Sequence, residues 1–301
     1  MLKKIVIYAF ILVLIGLSGY NFKIDPKTET SVKNGFLNDY RIYPVPLPEW
    51  MDFVDEPVPL EQKDVKERID REFLVNTYWQ SNALLLIKRS HKYFPEIEEI
   101  LRNNDVPDDF KFLAVAESGL QNITSPAGAK GFWQIMKKTG KELGLEINDE
   151  VDERYNLEKS TEAACKYLKK AKEKYGSWTL AAAAYNAGMN KISSALEKQR
   201  VDNYYDLLLN DETSRYVPRI IAIKYILTNP DNYGFVFSES DVYTPYEYYQ
   251  VAVDTAVGDW AAFAQKMNIT YKELKLLNPW LRSNKLSNKN KKTYLIKILK
   301  K

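Results

Sequence analysis

Phe112-Leu113-Ala114-Val115-Ala116-Glu117-Ser118-Gly119-Leu120 is an apolar helical run that closes on a carboxylate. A loop sequence, Ser125-Pro126-Ala127-Gly128-Ala129-Lys130-Gly131, follows and leads into Phe132-Trp133-Gln134-Ile135-Met136. An acid at the mouth of an apolar helix costs energy if it stays ionised in a poor solvent, which predicts a raised pKa for Glu117. A carboxyl with a raised pKa can donate a proton near neutral pH, so Glu117 is a candidate general acid. For an isolated residue the competing reading is a glutamate at the solvated end of a helix. The segments around it weigh against that.

The helical period extends in both directions, from Glu61 to about Asn232. Pro107-Asp108-Asp109 starts the helix that carries Glu117, with acidic residues where the helix dipole favours them. Upstream, Val65, Ile69 and Phe73 mark one helical face, and Leu84, Ile87 and His91 mark a helix predicted to end before Pro95. Ile97, Ile100 and Leu101 predict a third helix, stopped by Asn103-Asn104-Asp105. Downstream, helices are predicted near 132–143, 160–175, 178–188, 190–199 and 212–228. The block reads as an all-α domain over residues 61–235. Beyond Asn229-Pro230-Asp231 the pattern changes. Tyr248 to Asp254 has strand character, Gly258-Asp259-Trp260 opens a helix, Thr270 to Leu277 makes another, and Thr293 to Leu299 reads as a closing strand. That order, βααβ, predicts a small α+β module over residues 245–301. The fold class is therefore mainly α.

The 301 residues suffice for one sizeable core and a small second module. A net charge of +3, from 43 basic and 40 acidic residues, gives no electrostatic case for nucleic acid. Lys3-Lys4 precede the apolar run Ile5 to Leu17, with small residues at Gly16, Ser18 and Gly19. The run is shorter than the roughly twenty residues a membrane span needs, so residues 1–20 read as a signal peptide or short membrane anchor. An exported protein of the periplasm or cell envelope is expected, with residues 1–20 a possible membrane tether. Residues 21–60, with Pro44, Pro46, Pro48, Pro57 and Pro59, predict a Pro-rich linker, parts of which pack through Tyr40, Tyr43, Trp50 and Phe53. Cys165, the single cysteine, reads as a small buried hydrophobe, and His91 is the single histidine. A Cys/His metal site is thereby excluded as a reading, and no cofactor is expected.

Four segments of the helical block can be weighed together. They are Ala116-Glu117-Ser118; Gly128 to Met136; Ala183-Ala184-Tyr185-Asn186-Ala187-Gly188; and Glu212-Thr213-Ser214-Arg215-Tyr216-Val217-Pro218. In this order they resemble the lytic transglycosylases of the goose-type lysozyme-like superfamily, and most closely the membrane-bound lytic murein transglycosylase D group. The resemblance covers about residues 75–230 and implies a lysozyme-like catalytic domain acting on peptidoglycan glycan strands. It implies Glu117 as the catalytic residue. Ser125, Gln134, Met136, Tyr185, Asn186 and Tyr216 fall on substrate-binding positions, and Tyr216 resembles the family's late tyrosine that hydrogen-bonds near the catalytic glutamate. Trp133 departs from the aliphatic or Met usual at its position.

Most glycosidases need a second carboxylate, yet no acidic residue lies between Ser118 and Lys141. The resemblance implies how one suffices. The glutamate protonates the bond between N-acetylmuramic acid and N-acetylglucosamine, and the substrate's N-acetyl group stabilises C1. The same glutamate then deprotonates the muramoyl C6 hydroxyl, which closes onto C1 as a 1,6-anhydro end. An intramolecular nucleophile has a large effective concentration, so no water need be activated. A hydrolytic muramidase and a non-catalytic wall-binding scaffold are the alternatives. The C-terminal module resembles a divergent LysM domain through Tyr249-Gln250-Val251, Gly258-Asp259, Leu277-Asn278-Pro279 and Tyr294-Leu295-Ile296. Trp260 stands where that family has Thr or Ser, and the closing strand lacks the usual Pro.

Overall fold

The structure is a computed structural model and describes residues 42–301. The expected leader, 1–20, and residues 21–41 of the expected linker lie outside the described residues. Val45–Lys301 form one compact unit.

Part of the expected linker packs on the helical domain, as its aromatic residues suggested. Asp52–Phe53 (β1) and Glu56–Pro57 (β2) form a short antiparallel hairpin, and Met51 and Phe53 are fully buried in the main core, whereas Trp50 is exposed. The Glu56 carboxylate accepts the backbone N–H groups of Trp178 (2.6 Å) and Thr179 (2.8 Å), and the Ser177 hydroxyl (2.7 Å). A negative charge there satisfies donors that the start of a helix leaves unpaired.

Two long helices follow, Lys63–Tyr78 (α1) and Gln80–Asn103 (α2). The break expected before Pro95 does not occur, and Pro95 sits inside α2. Pro95 and His91, whose carbonyl loses its partner, are both on the exposed side, so water can serve that carbonyl. Ile87, Ile97 and Leu101 are buried on either side of it, and Phe94 meets Phe112 edge-on at 5.5 Å, so packing carries the helix through. The core helix Phe110–Ser118 (α3) buries Phe110 and every residue from Phe112 to Val115, and ends on Gly119 in the left-handed conformation. Asp109 does not cap it; its carboxylate instead takes the Lys224 ammonium (2.7 Å) and the Val54 N–H (2.8 Å).

The helix expected near 132–143 is helical only at Lys137–Glu142 (α4). Residues 132–136 form a loop, because Gly131 (φ 80°) and Gln134 (φ 45°) are left-handed and Lys130 bridges Thr124 and Ile135 in antiparallel fashion. Leu157–Tyr175 (α5), Trp178–Ala187 (α6), Met189–Gln199 (α7) and Asp211–Thr228 (α8) complete the helical domain. Helix α6 is buried along Thr179 to Ala184, and its small alanines let α5 and α8 approach closely.

The C-terminal module has the expected order: Tyr248–Val253 (β3), Trp260–Lys266 (α9), Tyr271–Leu277 (α10) and Tyr294–Leu299 (β4). Strands β3 and β4 pair antiparallel in the register Tyr248↔Leu299 to Val253↔Tyr294. Trp260 is fully buried against Phe263, at 5.2 Å between rings, and fills the centre of this small core. Val151 and Tyr155 of the helical domain belong to the same apolar cluster. None of the described helices is long and apolar enough to cross a membrane.

Candidate active site

Glu117 stands in the last turn of α3, and two ties fix that end. The Gly119 N–H returns to the Val115 carbonyl at 2.8 Å, and the Ser118 hydroxyl donates to the Phe132 carbonyl at 2.8 Å. Glu117 itself is only partly buried, so a substrate can reach it. Enough protein surrounds its carboxyl that desolvation pushes the pKa from 4.5 up to about 7; the Tyr216 hydrogen bond and the Arg219 charge oppose this rise, and the Glu212 charge adds to it.

Tyr216, on α8, donates its hydroxyl to Glu117 Oε1. Burial and the nearby Glu117 charge hold the Tyr216 phenol well above its ordinary pKa, so it remains a donor. Tyr185, on α6, is shifted the same way for the same two reasons. Its hydroxyl donates to the Trp133 carbonyl at 2.7 Å and so secures the residue preceding Gln134. Trp133 is fully buried, with its indole N–H on Thr161 Oγ1 at 2.8 Å, and anchors the loop in the core.

The fold thus brings Glu117, Tyr185 and Tyr216 together, and sets Gln134 one residue beyond a carbonyl that Tyr185 holds. Gln134 donates from Nε2 to the Gly131 carbonyl (2.8 Å) and the Ile123 carbonyl (3.3 Å). Met136, just before α4, is 44% exposed. The Ser125 hydroxyl accepts the Ala129 N–H at 3.0 Å, closing the loop on itself. Asn186 accepts the Thr213 hydroxyl at 2.9 Å and so ties the end of α6 to the start of α8. The side-chain hydrogen bonds of Ser125 and Asn186 are made within the protein, and none of them reaches Glu117.

One cluster escaped sequence reasoning. Glu72 of α1 is buried and holds Arg71 (2.5 Å) together with Arg215 (2.8 Å) and Arg219 (3.4 Å) of α8. Arg219 is also the cation acting on Glu117. An acidic residue between the buried Ile69 and Phe73 was the available signal, since burial there demands a charged partner. Among the described residues no group of His, Cys, Asp or Glu is arranged to hold a metal ion.

Two families of known proteins match the chain. Residues 94–207 match the family described as Transglycosylase SLT domain, and residues 249–301 that described as Soluble lytic transglycosylase C-terminal LysM-like domain. The two matches fall in the order its motifs suggested, a transglycosylase SLT domain followed by a LysM-like domain. Over 159 residues it is 30% identical to the membrane-bound lytic murein transglycosylase D of Escherichia coli strain K12, covering 51% of this chain and 35% of that relative. The protein of the same name from Escherichia coli O6:H1 gives the same figures. The match spans about a third of the length of these curated relatives. Glu117, Ser125, Gln134, Met136, Tyr185 and Asn186 fall inside the SLT match; Tyr216 lies beyond it.

Proposed function

We propose that this chain is a peptidoglycan lytic transglycosylase in which Glu117 serves first as acid and then as base. The observation that carries the reading is a carboxyl in the last turn of α3, bonded by Tyr216 and reachable by substrate, whose pKa desolvation raises to about 7. At neutral pH such a group is populated in both protonation states, as a residue that gives and retakes one proton requires. Tyr216 occupies Oε1, which leaves Oε2 to carry the proton. Transfer to the glycosidic oxygen breaks its bond to C1 of the muramoyl residue, while the acetamido oxygen stabilises the positive carbon. The resulting carboxylate is held by the Tyr216 hydroxyl and the Arg219 charge. It then takes the proton of the C6 hydroxyl as O6 bonds to C1. No water is consumed and Glu117 ends protonated.

Gln134 and the backbone of its loop are assigned to the sugar flanking the scissile bond, and Met136 to its apolar contact. Ser125, Tyr185 and Asn186 shape the cleft. Residues 61–235 form the catalytic domain in this reading, residues 245–301 accompany it as the LysM-like module, and residues 1–20 direct the chain to the cell envelope. Hydrolytic cleavage is the second reading, favoured by Glu212, a carboxylate whose charge reaches Glu117. Mass spectrometry of sacculus digests separates the two. 1,6-Anhydromuropeptides are expected from the wild type and none from Glu117→Gln. Products one water heavier refute the lyase reading, and undiminished digestion by Glu117→Gln refutes the assignment of the acid.

A further inference from the structure

We infer that Arg154 is a positioning residue whose guanidinium fixes the loop presenting Gln134 and Met136, and that the C-terminal module holds Arg154 in place. Arg154 lies in the 3₁₀ turn Glu153–Tyr155 and is only 3% exposed. Its Nε and Nη2 donate to the Asp152 carboxylate at 2.9 and 2.7 Å. Its Nη1 donates to the carbonyls of Gly128 and Ile135, both at 3.3 Å. Those two carbonyls bracket the loop on either side of Gln134. The main chain of Arg154 grips the same loop: a Cβ on Gly131 would lie 1.9 Å from the Arg154 carbonyl oxygen, so the backbones touch where only glycine fits. Asp152, buried as well, adds Lys130 of the loop at 3.6 Å.

The opposite side of this segment belongs to the module. Asp152 N–H donates to the Trp280 carbonyl at 2.9 Å, and Arg282 N–H to the Glu150 carbonyl at 2.8 Å. Val151 bridges Leu281, the Ser287 N–H and hydroxyl both reach Glu150 at 2.7 Å, and Lys292 pairs with Glu153 at 3.1 Å. Residues 150–155 are therefore clamped between the loop and the module. Only a planar fork can serve a carboxylate with two nitrogens and two carbonyls with a third; an ammonium cannot.

Calling the effect catalytic rests on the proposed function, whereas the positioning does not, and the test separates them. Hydrogen exchange on the full chain compares the wild type with Arg154→Lys. The amides of Lys130 and Ile135, which bond each other's carbonyls across the loop, are expected to exchange about tenfold faster in the variant, with α3 and α8 unchanged. Sacculus cleavage is expected to fall about tenfold or more in kcat, with the pH midpoint kept, because a small misplacement near the reacting atoms is costly. The double variant Gln134→Ala/Arg154→Lys should cleave no more slowly than the slower single variant. Unchanged loop exchange, or losses that multiply, overturn the inference. A wild type that cleaves no sacculi defeats the proposed function and leaves the exchange comparison standing. Asp152→Asn keeps shape while weakening the fork, and is read by the same two measurements if Arg154→Lys does not fold.

Discussion

Glu117→Gln removes a carboxyl from a place where charge is unwelcome, so its effect on stability depends on pH. In the folded protein the group keeps its proton up to about pH 7, and its ordinary value is 4.5. Between those values the folded state binds a proton that the unfolded chain has released. The unfolding free energy therefore falls as pH rises: Glu117 costs nothing below its unfolded pKa, and its full cost is reached above the folded one. At about 1.4 kcal/mol per pH unit, the interval from 4.5 to about 7 corresponds to about 3 kcal/mol. Partial solvent access to Glu117 reduces the expected difference to about 2 kcal/mol. Urea midpoints of the wild type and Glu117→Gln, taken from about pH 4.5 to about pH 8, measure it, since all other titrations cancel in the comparison. The variant should match the wild type at the acid end and exceed it by about 2 kcal/mol at the alkaline end. A difference that does not change with pH, or that favours the wild type as pH rises, refutes the account of why Glu117 holds its proton.

Cleavage by the wild type should decline above about pH 7, as Glu117 loses the proton it must donate. Tyr216→Phe removes a bond that lowers that pKa, so the declining limb should move to higher pH while the maximal rate falls about tenfold or more; an unmoved limb contradicts the Tyr216 assignment. Glu72→Gln leaves Arg71, Arg215 and Arg219 without their shared carboxylate. Its unfolding free energy should drop by about 3 kcal/mol in denaturant titration. Gly131→Ala forces a methyl group onto the Arg154 carbonyl and strains a left-handed residue. It should lower stability by about 2 kcal/mol or more, and thermal unfolding measures the loss.

Features written in local sequence were legible, and those built from distant chain were not. The apolar run ending in Glu117-Ser118 announces a helix, and the helix is present. The βααβ order was readable because hydrophobic period switches cleanly between strand and helix. Pro95 misled because a helix tolerates proline where its orphaned carbonyl meets water and both flanks are packed. Residues 132–136 misled because their apolar spacing comes from anchoring in the core, with Gly131 and Gln134 turning the backbone out of a helix. The contact between Tyr216 and Glu117 spans 99 positions, and the one between Arg215 and Glu72 spans 143. Periodicity carries nothing over such separations. The first was reached only through a motif, and the second was missed.

The main-chain bonds between Asp152 and Trp280, and between Glu150 and Arg282, have a consequence for how a polymer would be handled. A carbohydrate-binding module on a slack tether acts as a leash, raising the local concentration of any strand it catches in whatever alignment. A module bolted to the domain cannot. A strand engaged by both must meet them at one fixed spacing and one polarity. Were the module to hold glycan as well, it would serve as a ruler, favouring cuts at a set number of sugars from the point of attachment.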